Sequence, residues 1–125
     1  MKPDITTRNA IELLVNSFYE KVTTDDCIGP IFIKIAKVDW DTHLPRMYDF
    51  WESILLGGMN YKGNPMLRHI ELSKKTTLSQ EHFDRWLALW HNTIDTYFSG
   101  EKANDAKQRG INIAGLMLYK IENHA

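Results

Sequence analysis

Apolar side chains recur at three- and four-residue intervals along almost all of this 125-residue chain, a spacing that suits helices and little else. Ile11, Leu14, Val15, Phe18, Tyr19 and Val22 form one stripe, with Thr6 or Thr7 placed to cap its start. Thr23-Thr24-Asp25-Asp26 breaks the pattern and Gly29-Pro30 enforces a turn. Ile31-Phe32-Ile33 follows; with no partner strand in the chain, it is expected to be a helical turn packed on the core. A second long helix opens at Asp39 or Asp41, buries Met47, Phe50, Trp51, Ile54 and Leu55, and stops at Gly57-Gly58. Ser79 caps a third, with Leu78 and Phe83 spaced as a hydrophobic staple. Its stripe is Phe83, Trp86, Leu87, Trp90, Ile94 and Tyr97, and Gly100 ends it. A last helix is predicted from about Ala103 to Ile121, with Ile113, Ala114, Met117 and Ile121 inward. Gly110 and Gly115 weaken it by ~1 kcal/mol each relative to alanine unless packing requires them. Helices without strands predict an all-α fold, one domain over residues 1–125.

Composition narrows the function. The chain is 43% hydrophobic and 25% charged, ordinary for a water-soluble globular protein. A net charge of -1 offers nothing to a polyanion, so no nucleic-acid partner is expected. No segment approaches a membrane span, and Met1-Lys2-Pro3-Asp4 opens no apolar run of signal-peptide kind. The one cysteine, Cys27, excludes an intrachain disulfide and fits a reducing compartment. The expectation is a cytoplasmic protein, monomeric by default. There is no phosphate-binding glycine loop, no zinc-type cysteine pair and no HExxH.

The residues able to carry chemistry stand alone, so each has a plain structural reading beside the functional one. His69 lies on a short helical stretch, Met66 to Leu72, after the turn Tyr61-Lys62-Gly63-Asn64-Pro65. Asn64 can cap that helix and Pro65 suits its first position, yet so short a helix needs the domain to hold it. Alone, His69 reads as a surface histidine; functionally, its imidazole is the usual proximal ligand of a haem iron. Tyr19 on an apolar stripe is a core tyrosine, or a hydroxyl aimed at a ligand. Trp86 is a core indole, or an N–H donor facing a bound molecule. His43, near a helix start, is exposed or assists Tyr19. His82, His91 and His124 read as surface, and Cys27 as a small buried hydrophobe.

The order of these residues carries more than any one of them. Phe18-Tyr19-Glu20-Lys21-Val22 is followed by Gly29-Pro30-Ile31-Phe32, then Trp40-Asp41-Thr42-His43. Next come Phe50-Trp51 with Leu55-Leu56-Gly57-Gly58, then Tyr61-Lys62-Gly63-Asn64-Pro65 leading into His69, and finally Phe83 with Trp86. The series resembles a truncated haemoglobin of group III, from about Asn9 to Tyr119. The resemblance implies a two-over-two sandwich of globin helices around one b-type haem. By position it makes His69 the proximal iron ligand and Tyr19 the distal hydroxyl. It makes His43 the distal histidine and Trp86 the tryptophan at the cavity wall. It places Phe32 on the haem face and Met47 as an apolar distal residue; Phe83 joins the haem-binding set, and Arg68 is a candidate partner for a propionate.

Pro45 departs from that pattern. Proline disfavours helix at Leu44 and removes a donor, which predicts a helix beginning near Leu44 or Pro45. His43 would then sit on irregular backbone, able to swing outward and act as a gate, with Tyr19 the better preorganised donor. The implied function is reversible binding of O2, NO or another diatomic ligand at a five-coordinate haem iron. A redox enzyme, dioxygenating NO or activating peroxide, is the alternative. It needs a separate reductase, since the chain has no flavin or nicotinamide fingerprint. A haem-free helical interaction module is the third reading.

Overall fold

The computed structural model describes residues 2–31, 39–57 and 79–122, with backbone alone from residue 120. These residues form helices α1 (Arg8–Thr24), α2 (Trp40–Leu56), α3 (Gln80–Tyr97) and α4 (Glu101–Glu122), with a short helical turn at 29–31. There is no strand among the described residues. The starts of α1 and α3 and the end of α2 have local causes. Thr7, in extended backbone, accepts from the Ala10 N–H at 3.1 Å and starts α1. Gly57, left-handed at φ 81°, ends α2. Ser79 starts α3 in extended backbone, and the His82 ring folds back so that Nδ1 accepts from the Ser79 N–H at 3.1 Å. This is the reciprocal half of a capping box, with histidine doing what glutamate or glutamine usually does.

The last helix begins two residues earlier than the pattern predicts, because its cap comes from the other end of the chain. Asp4 accepts from the N–H groups of Lys102 (3.0 Å) and Ala103 (2.8 Å). Gly100, at φ 136°, lets the chain turn there, and a Cβ on it would stand 2.6 Å from the Asp4 carboxyl carbon. No sequence-local signal announces a cap supplied from so far away.

The helices pack as two pairs, α1 with α2 and α3 with α4; α1 crosses α3, and α4 touches α2. The stripes face inward as predicted for Ile11, Leu14, Val15, Phe18 and Val22 on α1, Trp51 and Leu55 on α2, and Phe83, Trp90 and Ile94 on α3. Met47, Phe50 and Ile54 are half-buried against the same core. Tyr97 departs from its predicted stripe: it is 38% exposed, and the next residue, Phe98, fills the core where α3 ends. The core falls into a large group around Trp90 and a smaller one of Ile31, Phe83, Ala114, Met117 and Leu118. Trp86 and Ile113 pack against both. Among the described residues no helix is long and apolar enough to cross a membrane.

The two glycines of α4 have opposite meanings. A Cβ at Gly110 would meet the Trp90 ring at 2.8 Å, whereas one at Gly115 meets nothing within 4 Å. Gly110→Ala must displace a buried indole and should destabilise by ~1–3 kcal/mol. Gly115→Ala should stabilise by up to ~1 kcal/mol through helix propensity. Urea unfolding of the two variants checks the sign difference; equal effects would mean that Trp90 does not rest on Gly110.

Candidate functional site

Helix α1 presents Phe18 and Tyr19 side by side, and the two residues divide the work. Phe18 is buried and stands edge-on to Trp86 (5.5 Å between centroids, 88°) and to Trp90 (5.0 Å, 82°). Its packing fixes the direction of the half-buried Tyr19, 5.0 Å away. Burial pushes the Tyr19 phenol well above its ordinary value, so the hydroxyl keeps its proton and can donate it.

The start of α2 corrects the expectation drawn from Pro45. The helix begins at Trp40, places His43 on regular helical backbone, and carries Pro45 in its interior. The Asp39 carbonyl accepts from the N–H groups of Thr42 (3.1 Å) and His43 (2.8 Å), and its carboxylate accepts from the Thr42 hydroxyl at 2.9 Å. These bonds hold the first turn. Pro45 withholds the donor that would have reached the Asp41 carbonyl, but Asp41 is exposed and water can take its place. The Trp40 and His43 rings also pack on Tyr19, at 5.4 and 5.1 Å. His43 therefore points inward, with Nε2 3.0 Å from the Tyr19 hydroxyl oxygen.

A hydroxyl carries one proton, so this contact has two forms. If His43 Nε2 carries hydrogen, the imidazole donates to Tyr19 and the phenol proton points away from it. If Nε2 is bare, the phenol donates to it.

Trp86, half-buried, rests on the same Phe18 ring that Tyr19 contacts. Its neighbour Trp90 donates its indole N–H to the Ala106 carbonyl at 3.0 Å, whereas the Trp86 N–H makes no hydrogen bond to a described residue. Of the remaining predicted site residues, Met47 is half-buried on the large core and Phe83 is buried in the smaller one. His69, Phe32 and Arg68 lie outside the described residues.

Several residues have roles that pattern reading missed. Asp25, read only as part of a helix break, is buried and bonds at 2.6 Å to Arg85 of α3. It also accepts from the N–H groups of Cys27 and Ile28 at 3.0 Å each, tying the turn after α1 to α3. His82 caps α3, and His91 reaches the Lys107 carbonyl at 3.3 Å, so neither is an idle surface residue. Trp40 walls Tyr19; its place three residues before His43, on one helix face, is the signal that could have found it. Cys27 is half-buried, and burial together with Glu81 and Asp25 pushes its thiol up, which fits an inert residue.

The described residues hold no cluster of three or more His, Cys, Asp or Glu side chains that could bind a metal ion. What they offer is an apolar group of Phe83, Met117 and Leu118 packed with Trp86, and a Tyr19 hydroxyl paired with the His43 imidazole, with Tyr19 and Trp86 both resting on Phe18. Apolar side chains beside a few polar donors suit a flat, largely apolar prosthetic group.

Two crossed helix pairs with this aromatic and polar wall define a globin-type domain of the two-over-two kind. Residues 4–117 match the bacterial-like globin family. The chain is 34% identical to the group 3 truncated hemoglobin of Campylobacter jejuni over 99% of its own length and 100% of that protein's. The crystal structure of a group III truncated hemoglobin from that organism superposes with a TM-score of 0.84 at 30% identity, covering 100% of this chain and 98% of the other. A 2/2 hemoglobin from Synechococcus sp., solved in the cyanomet state with covalently attached heme, shares the fold at a TM-score of 0.74 and 22% identity, over 93% of this chain and 92% of that one. A mutant of the truncated hemoglobin from Tetrahymena pyriformis, in its Fe(III) form, superposes at 0.66 with 28% identity, over 88% and 89% of the two chains. The chain belongs to the bacterial-like globins, within the group III truncated haemoglobins.

The Asp25 anchor is separable from the aromatic site. Burial alone would raise the Asp25 carboxyl, but the Arg85 hydrogen bond, the N–H groups of Ile28 and Cys27 and the Arg85 charge together hold it below the usual carboxylate range. Its contribution is complete above the unfolded-state pKa of about 3.9 and is lost as pH falls through the lower folded value. Asp25→Ala should cost about 2 kcal/mol at pH 7, the scale of charge-assisted hydrogen bonds to the two N–H groups. The gap to wild type should close in acid. A gap independent of pH down to full protonation would show that bulk, not charge, holds the turn.

Proposed function

We propose that this globin binds a non-covalent b-type haem and holds O2, or another diatomic ligand, at its iron. His69 is the proximal ligand, while Tyr19 and Trp86 supply the distal donors. The observation that carries this reading is the 3.0 Å contact between the Tyr19 hydroxyl and His43 Nε2, with Trp86 resting on the Phe18 ring that Tyr19 contacts. When bound, the haem would supply a ferrous iron able to take a diatomic ligand. Everything else falls to the protein. Phe32, Met47 and Phe83 provide apolar surface for the macrocycle, Arg68 a charge for a propionate, and the absence of Cys-x-x-Cys-His leaves the haem unattached by thioether bonds.

A preorganised donor at this site would favour a ligand that gains partial negative charge on binding. Charge-assisted hydrogen bonds contribute roughly 1.5–3 kcal/mol each, and ~1.4 kcal/mol is tenfold in affinity, felt mainly in dissociation. Two such donors make release slow, which suits retention of the ligand better than bulk transport. His43 acts through Tyr19: by donating to the phenol oxygen it leaves the hydroxyl proton for the ligand.

His69→Ala should abolish haem retention or leave it weak, read from the absorption spectrum of the purified protein; unchanged haem content and spectrum would overturn the assignment. Tyr19→Phe and Trp86→Phe should each speed O2 release about tenfold or more. His43→Leu should have a smaller effect, and almost none in a Tyr19→Phe background, because its influence passes through the missing hydroxyl. Stopped-flow off-rates for the single and double variants decide this. A full His43 effect that persists without the Tyr19 hydroxyl would mean that the imidazole touches the ligand itself.

A further inference from the structure

Three indoles line up from the candidate site into the core. Trp86 and Trp90 lie nearly parallel, 12° apart with centroids at 6.1 Å, and Trp90 stacks on Trp51 of α2 at 4.4 Å and 29°. Trp86 is half-buried at the site, Trp90 is fully buried and Trp51 nearly so. Bulk for a core is as well supplied by Phe or Leu. A continuous run of indoles adds something those residues lack: tryptophan is among the side chains that give up an electron most readily. We propose that Trp86, Trp90 and Trp51 form a relay that draws a one-electron oxidising equivalent away from the haem site into the core when hydrogen peroxide is the oxidant. This rests on the haem reading above.

The electron balance is simple. Reduction of hydrogen peroxide breaks its O–O bond and takes two electrons, bringing both oxygens to the oxidation level of water. The ferric iron gives one electron and the stack gives the other. One indole is left as a radical cation, and no proton leaves it. The surroundings fit that charge. The Trp90 N–H donates to the Ala106 carbonyl at 3.0 Å, an acceptor that strengthens its bond to an oxidised indole but is too weak a base to take the proton. The face of the adjoining indole attracts a cation and shares it, which offsets the cost of placing charge in the core. Gly110 and Ala106 press on the Trp90 edge and fix the ring, so little reorganises when the charge moves.

Tyr19 is the rival donor, and the packing separates the two routes. Phe18, which is hard to oxidise, is the ring that Tyr19 and the three-indole stack share, at 5.0 Å from Tyr19 and 5.5 Å from Trp86. Oxidation of the phenol is coupled to loss of its proton, and His43 Nε2, 3.0 Å away, does not take it while it carries the hydrogen that donates to the phenol oxygen, whereas the indoles lose an electron alone.

The test is to load the protein with ferric haem, mix it with one equivalent of hydrogen peroxide, freeze within milliseconds and record electron paramagnetic resonance, with haem content measured first. The wild type should show a tryptophanyl radical that retains its exchangeable N–H coupling, visible as line narrowing in D2O. Trp90→Phe should abolish most of that signal and concentrate oxygen addition on Trp86, read by peptide mass mapping. Trp51→Phe, a second variant in case the first fails to fold, should shorten the radical's lifetime. A tyrosyl signal in the wild type that vanishes in Tyr19→Phe would overturn the relay, as would a tryptophanyl signal indifferent to both Trp90→Phe and Trp51→Phe. A protein that takes up no haem overturns the haem reading and the relay together, and the initial haem measurement tells that outcome apart from the others.

Discussion

Trp90 is the contact on which the rest of the structure depends. Its ring has no exposed surface and it meets each of the other three described helices: Phe18 of α1 edge-on, Trp51 of α2 face to face, and Gly110 and the Ala106 carbonyl of α4 along its N–H edge. A buried indole contributes a large apolar area, and its one polar atom must find an acceptor. Ala106 can offer its carbonyl only because small residues at 103, 106 and 110 let α4 approach closely. The glycine that would weaken an isolated helix is thus a condition of the core.

The candidate site inherits its order from that packing. Phe18 is locked against Trp86 and Trp90, and Tyr19 is the next residue on the same helix, so its hydroxyl is positioned by the burial of its neighbour. The opposite rim is held by charge. Arg8 bonds to Asp49 at 2.8 Å and lies near Glu52 at 3.4 Å, joining the start of α1 to α2, and its guanidinium sits 5.5 Å over the Tyr48 ring. These groups are partly exposed, so each contributes less than about 1 kcal/mol, and their value is in the relative placement of the two helices. Asp25 does the same work for α1 and α3 from a buried position, where removal costs more.

Much of this was legible in the sequence for a physical reason: helix stripes, caps and glycine stops are local, and they placed the described helices to within a few residues. Tyr19, His43 and Trp86 could be named because their spacing and order resemble a family. What stayed hidden depends on contacts between distant segments. The cap that Asp4 gives α4, the Asp25–Arg85 anchor and the need for Gly110 beneath Trp90 join residues far apart in the chain, and no window of sequence contains both partners. Tyr97 fell on the predicted stripe yet lies outside, since α3 ends there and Phe98 takes the inward place.

Pro45 shows how a correct local rule yields to tertiary packing. Within a helix a proline costs about 3 kcal/mol, enough to argue that the helix should begin at or after it. The local ledger omits what the first turn gains by extending back to Trp40. Two N–H groups bond to the Asp39 carbonyl, a hydroxyl bonds to its carboxylate, and two aromatic faces close on Tyr19. Aromatic contacts add about 0.5–1.5 kcal/mol each beyond area burial, and each hydrogen bond contributes on the order of 1 kcal/mol net. Together they match the cost of the proline. The consequence reaches the site: a helix begun at Pro45 would have left His43 loose, while one begun at Trp40 brings its imidazole to the Tyr19 hydroxyl. The same few residues thereby determine whether the hydroxyl is one lone donor or part of a pair.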